Sequence, residues 1–286
     1  MRAIAAIVLL SAAPLTVSTG TDPAKEGTKR LEADIPYAEG GDENKLDLYL
    51  PEQKEFTTIV FTYGGGWHRG SRKSVAAIGE MFQGLGYGCV LPSHRLGPKD
   101  KFPAQAEDMA AAFAWVYRNI AAKGGDPKRI VLMGHSSGAH LSLLIATDPK
   151  YLATHKLTPA DISGVIGLSS PVDLEPRKEG KGFGDALMAG RGADVFSRDT
   201  TVMRDASPLR HISKKLPRTC LIVGERDFPM LEGDAKAFLE KATAEQAKAT
   251  LLVAKGRDHM GTVQALLEEK SDVRESVQEF LAKLKK

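Results

Sequence analysis

Short apolar runs alternate with helical segments along most of this chain, and that alternation limits the fold more than any other feature. Runs 57–63 (TTIVFTY), 87–95 (YGCVLPSHR), 129–135 (RIVLMGH), 164–170 (GVIGLSS), 220–225 (CLIVGE) and 249–254 (ATLLVA) read as strands. Several are continuously apolar, as strands covered on both faces are. Segments 74–86, 104–125, 137–146 and 231–245 read as helices, and 262–285 as a closing amphipathic helix. The longest carries Met109, Phe113, Val116 and Ile120 at near-helical spacing and stops at Gly124 and Gly125. This repetition predicts an α/β protein: a mostly parallel central sheet with helices on both faces. An earlier run, KLDLYLP at 45–51, alternates in polarity. With 57–63 it precedes any helix, so the two are expected to form an antiparallel N-terminal pair. Residues 171–215, rich in Gly, Arg and Asp, break the rhythm after the 164–170 strand. They are expected to form a small cap-like insertion over one end of the sheet, where it would shape a binding site.

The first residues follow a different logic. MRAIAAIVLLSAAPLTVSTG has Arg2, an apolar run from Ala3 to Ala13, and then small and polar residues. That is the layout of a secretory signal peptide, expected over 1–20 with cleavage near Gly20, which places the protein in the periplasm or outside the cell. The run falls short of the ~20 apolar residues of a membrane span, so no stable membrane insertion is expected. Residues 21–286 then read as a single α/β domain. A net charge of +3 gives no basis for binding nucleic acid. Cys89 and Cys220 lie in apolar strand-like runs, which predicts buried free thiols rather than metal ligands.

One stretch carries chemistry. In IVLMGHSSGAHLSLLIA (130–146) a single register satisfies G-x-S-x-G: Gly134, Ser136 and Gly138. A strand precedes it and a helix follows, the setting in which a serine hydroxyl is presented on a strained turn. The plain alternative is a serine-capped helix start. In the hydrolytic reading Ser136 is the nucleophile. His135 and His140 then pack or line the site; His135 is expected to touch substrate. A reacting acyl group needs amide donors for its oxyanion. Ser137 supplies one, and the YGGGW loop after 57–63 supplies others from Gly65 and Gly66, with Trp67 an alternative donor and a substrate contact. Glycines let amides approach a substrate without side chains intervening.

The remaining partners follow from chain order, serine, then acid, then histidine. After the 220–225 strand stand Glu225 and Asp227, and Asp173 follows the earlier strand; Asp227 is the preferred acid. His259, in GRDH, is the only histidine beyond residue 211 and is the expected base.

Taken together, these motifs resemble the α/β-hydrolase superfamily, in particular exported esterase and lipase-like proteins related to hormone-sensitive lipase, bifunctional feruloyl/acetyl-xylan esterases and arylformamidases. The likeness spans roughly 45–283 and is most specific over 93–146. It implies a serine hydrolase without cofactor or metal, with Ser136, Asp227 and His259 as its triad. It departs at Tyr63, where the family usually has histidine; tyrosine can also hydrogen-bond and support the glycine loop. The implied substrate is a carboxylic ester with a short or aromatic acyl group, either a small molecule or an acetyl or feruloyl ester on polysaccharide. The alternatives are an amide-type hydrolase with the same triad, and a non-catalytic binding protein on this fold. No oligomeric partner is implied.

Overall fold

The computed structural model describes residues 30–190 and 192–284. The expected signal segment at 1–20 lies outside them. In chain order the strands are β1 (Arg30–Pro36), β2 (Lys45–Leu50), β3 (Phe56–Thr62), β4 (Gly88–Pro92), β5 (Gly125–His135), β6 (Gly164–Leu168), β7 (Thr219–Arg226) and β8 (Ala249–Asp258). They form one sheet in the order β1-β2-β4-β3-β5-β6-β7-β8. β4, β3, β5, β6, β7 and β8 run parallel, and β1 and β2 are antiparallel to their neighbours. This is the α/β-hydrolase fold, and it has the expected antiparallel start. The strands of that start differ from the sequence reading: β2 pairs with β1 and β4, while β3 (the 57–63 run) lies inside the parallel region. β1 sits at the sheet edge and is largely exposed, so RLEADIP carries no apolar pattern to announce it.

The helices are α1 (Ala76–Gly84), α2 (Ala104–Asn119), α3 (Ser137–Thr147), α4 (Pro149–Ala153), α5 (Phe183–Ala189), α6 (Gly192–Phe196), α7 (Thr200–Asp205), α8 (Pro229–Ala244), α9 (His259–Leu267) and α10 (Asp272–Leu284). Alternate strand residues feed two cores on opposite faces, as a pleated strand requires. Val60, Ile130, Leu132, Val165 and Leu221 pack with α2, α3 and α8. Ile59, Phe61, Val131, Met133, Ile166 and Ile222 pack with α1, α9 and α10. The closing helix expected over 262–285 is two helices. They break at Glu268–Ser271, where Ser271 Oγ accepts from the amide of Arg274 and so caps the second. No helix among the described residues is long and apolar enough to cross a membrane. Cys89 and Cys220 are buried free thiols.

The 171–215 segment follows β6 and carries α5, α6 and α7. Its Leu187, Val195, Phe196, Met203 and Ala206 are buried in the same core as Trp67 and α3. The segment is therefore packed onto the sheet's carboxyl end rather than hanging free over it.

Candidate active site

The parallel strands deliver their chemistry at one edge. The glycine loop follows β3, Ser136 follows β5, Ser169 follows β6, Asp227 follows β7 and His259 follows β8. Carboxyl ends of parallel strands are where ligands bind in open α/β sheets.

The serine turn is shaped by two close approaches. A Cβ on Gly134 would lie 2.5 Å from the carbonyl carbon of Gly138. One on Gly138 would lie 2.2 Å from Thr62 O and 2.4 Å from Tyr63 O. Glycine at both positions lets α3 start directly against β3 and β5. Ser136 between them has φ 54° and ψ −122°, a conformation that costs an L-residue energy and persists only where its surroundings impose it. Its amide donates to Leu168 O at 2.8 Å, and its carbonyl accepts from His140 N at 3.0 Å. Trp67 (φ 60°) and Ser169 (φ 50°), both beside this turn, also have positive φ.

Three residues singled out by sequence meet at hydrogen-bonding distance. His259 Nδ1 lies 2.7 Å from Asp227 Oδ1, and His259 Nε2 lies 2.9 Å from Ser136 Oγ. A carboxylate only accepts, so Nδ1–H donates to Asp227, and Nε2 of the neutral ring accepts from the serine hydroxyl. Burial pushes the Asp227 pKa up, but hydrogen bonds from His259 and Ser169, with smaller contributions from the His259 charge and the Phe228 amide, outweigh it and hold the carboxyl below its ordinary value. Glu225 instead accepts from Gly256 N at 2.8 Å on the exposed side, and Asp173 pairs with Arg177 and Arg210. Neither alternative acid touches His259.

Two residues here were not singled out by the sequence. Ser169 Oγ donates to Asp227 Oδ2 at 2.5 Å and lies 2.8 Å from Thr262 Oγ1, whose hydroxyl is also 3.0 Å from His259 O. Thr262 follows the histidine by one helical turn, and Ser169 belongs to the serine pair after β6. Their positions carry that signal, but only strand adjacency turns it into contact.

The glycine loop abuts the serine. A Cβ on Gly64 would come within 3.1 Å of Ser136 Cβ and 2.7 Å of His135 Nδ1. Gly65 (φ 151°) and Gly66 (φ 62°) adopt backbone that favours glycine. Ser137 opens α3, so its amide belongs to the free first turn of a helix, where negative charge is stabilised. Tyr63 is buried beneath the loop. It stacks on His94 with ring centroids 5.0 Å apart and presses against Gly70, and burial pushes its hydroxyl pKa up to about 12.

The flanking histidines have structural partners. His135 Nε2 donates to the carbonyl of His259 at 2.8 Å, and the ring also borders the cavity. His140 Nδ1 accepts from Trp67 Nε1 at 3.1 Å while its Nε2 donates to Ala206 O at 2.7 Å. Burial depresses both pKa values to about 4. Trp67 is only 2% exposed; it edges the cavity and packs on His140, Phe183 and Phe196.

The cavity above Ser136 measures about 750 Å³ and is walled mainly by apolar side chains from α1, α5, α9 and the start of α8. That volume accommodates a small organic substrate. Elsewhere, Asp148, Asp205 and His211 bring potential ligand atoms within 4.8 Å of one another. The Lys150 ammonium already sits 2.9 Å from Asp148 and 2.6 Å from Asp205, supplying the cation that cluster needs.

Fold and site together define an α/β-hydrolase-fold protein with a serine, a histidine and an aspartate in hydrogen-bonded series. The chain belongs to the BD-FAE family, whose model matches residues 46–241. Its curated relatives include esterase LipC of Mycobacterium tuberculosis, 30% identical over 67% of this chain and 49% of that protein. Isoprenylcysteine alpha-carbonyl methylesterase ICME of Arabidopsis thaliana is 27% identical over 81% of this chain and 57% of that one. The chain thus spans about half the length of the curated relatives it matches. Among solved structures, a truncated carbohydrate esterase from gut microbiota superposes with a TM-score of 0.77 at 21% identity, covering 92% of this chain and 98% of that one. Esterase B of Lactobacillus rhamnosis gives 0.75 at 21% identity, over 90% and 85%. These likenesses concern the fold.

Proposed function

We propose that this chain hydrolyses carboxylic esters through an acyl-enzyme, with Ser136 as nucleophile, His259 as general base and acid, and Asp227 fixing the ring. The supporting observation is the continuous relay from Ser136 Oγ through His259 to Asp227, at 2.9 and 2.7 Å. Oγ attacks the ester carbonyl as Nε2 takes its proton. The tetrahedral oxyanion accepts hydrogen bonds from the amides of Ser137 and of Gly65 or Gly66. The imidazolium, held by Asp227, then protonates the departing alcohol oxygen, and water repeats the sequence to release the acid. Short or aromatic acyl groups suit the cavity, with acetyl or feruloyl esters on polysaccharide among the substrates to try. The apolar Ala3–Ala13 run supports export, which N-terminal sequencing of the mature protein would test.

A fluorophosphonate probe followed by mass spectrometry tests the chemistry. The adduct should map to Ser136. Ser136→Ala and His259→Ala should each lose on the order of 10⁴-fold in ester kcat/KM. An adduct elsewhere, or an active His259→Ala variant, overturns the assignment. Running formylkynurenine beside the esters separates ester from amide preference.

A further inference from the structure

Among the described residues, the large apolar side chains most exposed to water are Leu31, Leu85, Phe228, Met260 and Leu267. Three of these, Phe228 (49%), Met260 (54%) and Leu267 (41%), line the single cavity that holds Ser136. Scattered exposed apolar residues need no explanation, but a cluster rimming a pocket marks a binding surface.

The cluster has a definite geometry. Met260, Val263, Gln264 and Leu267 all line the cavity and stand at i, i+3, i+4 and i+7 of α9, so one stripe of that helix faces it. Ala77 and Ile78 line it from α1, with Val75 just before that helix, and α1 packs against α9. His259 is the first residue of α9 and stands at the head of the stripe. The Phe228 ring lies on the His259 ring, with centroids 4.5 Å apart.

We propose that this groove receives the alcohol half of the ester, and that this half is an apolar alkyl or aryl group. The inference rests on the esterase reading above and adds a side and a chemistry to it. When the tetrahedral intermediate collapses, the bond between the acyl carbon and the alkoxy oxygen breaks. The electron pair stays on that oxygen, which takes the proton held on His259 Nε2. The alcohol therefore has to leave on the His259 side of Ser136. On that side the neighbouring surfaces are the Phe228 ring and the Met260–Leu267 stripe. A hydroxyl-rich sugar would meet one amide in the stripe, Gln264, whereas an alkyl chain or ring would cover side chains now in water.

The test is a series of acetate esters that share one acyl group: methyl, propyl and hexyl acetate, with an acetylated methyl xyloside as the polar member, followed by pH-stat. Simple alkyl alcohols are near-equal leaving groups, so the series reads binding of the alcohol. We expect kcat/KM to rise about two- to fourfold per methylene, and the xyloside to fall below propyl acetate. Met260→Ser and Leu267→Ser should each shrink the hexyl-to-methyl ratio by about threefold or more. Both side chains are exposed, so the variants should melt like the parent. A flat series with methyl acetate turned over overturns the inference alone. So does a xyloside preferred over hexyl acetate, or a slope that neither substitution changes. A slope that appears only when the acyl group is lengthened assigns the groove to the acyl half and overturns it too. Absence of turnover on every ester is the failure of the esterase reading itself.

Discussion

At the scale of single residues, the buried histidines set a pH dependence that is separate from the chemistry. His135 and His140 are depressed to about 4 by burial, against an unfolded value of ~6.5. Below that unfolded value the denatured chain binds protons that the native one refuses. Stability should therefore fall as pH drops from ~6.5 to about 4, each histidine contributing on the order of 3 kcal/mol across that window. Urea unfolding at intervals through this range checks it. His135→Gln can still donate to the His259 carbonyl, and it should flatten the slope by the equivalent of one proton. Asp227 acts with the opposite chemistry. A carboxylate held below its unfolded value contributes stability that is present above ~3.9 and lost as pH falls through the lower native value. Ser169→Ala removes one of the hydrogen bonds that lower it, so the acid limb of the unfolding profile should shift toward higher pH. A hydrogen bond to a charged group contributes about 1.5–3 kcal/mol, so we expect a stability loss of that order and a kcat about tenfold lower. An unchanged acid limb would show that Ser169 does not tune this carboxyl. Ser136, Asp227 and His259 were legible in the sequence because each stands at the end of an apolar strand in a recognisable order. Ser169 was not, because its contacts with Asp227 and Thr262 exist only once β6, β7 and β8 lie side by side, and Thr262, though one turn from His259, is marked by nothing in the sequence until Ser169 meets it.

At the scale of elements, the strand–turn–helix unit β5–α3 is fixed by steric contact more than by helix propensity. α3 starts where a Cβ on Gly138 would enter the backbone carbonyls of Thr62 and Tyr63. Gly138→Ala should therefore push α3 away from β3, costing roughly 1–3 kcal/mol or more by the standard of overpacked cores and severely reducing turnover. Gly233→Ala is the matched control. That glycine lies inside α8 with nothing within 4 Å of a would-be Cβ, so the change should stabilise by about 0.5–1 kcal/mol. Thermal melts of the two variants in opposite directions would establish that close approach, not glycine as such, governs the serine turn. The readability of other elements follows the same physics. Central strands buried on both faces appear as apolar runs. β1 is an exposed edge strand held through its backbone to β2, and no periodicity marks it. The α9–α10 break falls in EEKSD (268–272), a polar run that also fits the solvent face of one continuous helix, with Leu266 and Val273 two turns apart. Ser271 caps a new helix there, and the chain turns to lay α10 on the sheet.

At the scale of the whole molecule, the segment after β6, the glycine loop and the serine helix converge on His140. It sits on α3 four residues beyond Ser136, accepts from the Trp67 indole of the glycine loop, and donates to the Ala206 carbonyl of the inserted segment. The insertion has further ties to the body: Arg177 pairs with buried Asp234 of α8, and Lys241 of α8 donates to Leu209 O at 2.8 Å. Those ties hold its flanks, whereas His140 joins it by hydrogen bonds to the loop proposed to supply oxyanion donors, beside the direct packing of Trp67 on Phe183 and Phe196. His140→Leu would fill much of the same space but leave a buried indole N–H and a buried carbonyl without partners. Each costs about 1–3 kcal/mol, so unfolding free energy should fall by roughly 2–6 kcal/mol. The effect on turnover should divide unevenly. The acyl and alcohol surfaces remain in place, so KM should change little, while the loosened Trp67 turn lowers kcat by about tenfold or more, in line with weakening one oxyanion donor. His140→Gln, whose amide can satisfy one of the two partners, should recover part of both losses. Hydrogen exchange gives the readout that a local packing defect would not. In His140→Leu, protection should fall together in the glycine loop and in residues 183–206, two segments far apart in sequence. Loss confined to α3 would mean that the histidine only fills space, and that the packing of Trp67 on Phe183 and Phe196 holds insertion and loop together without it.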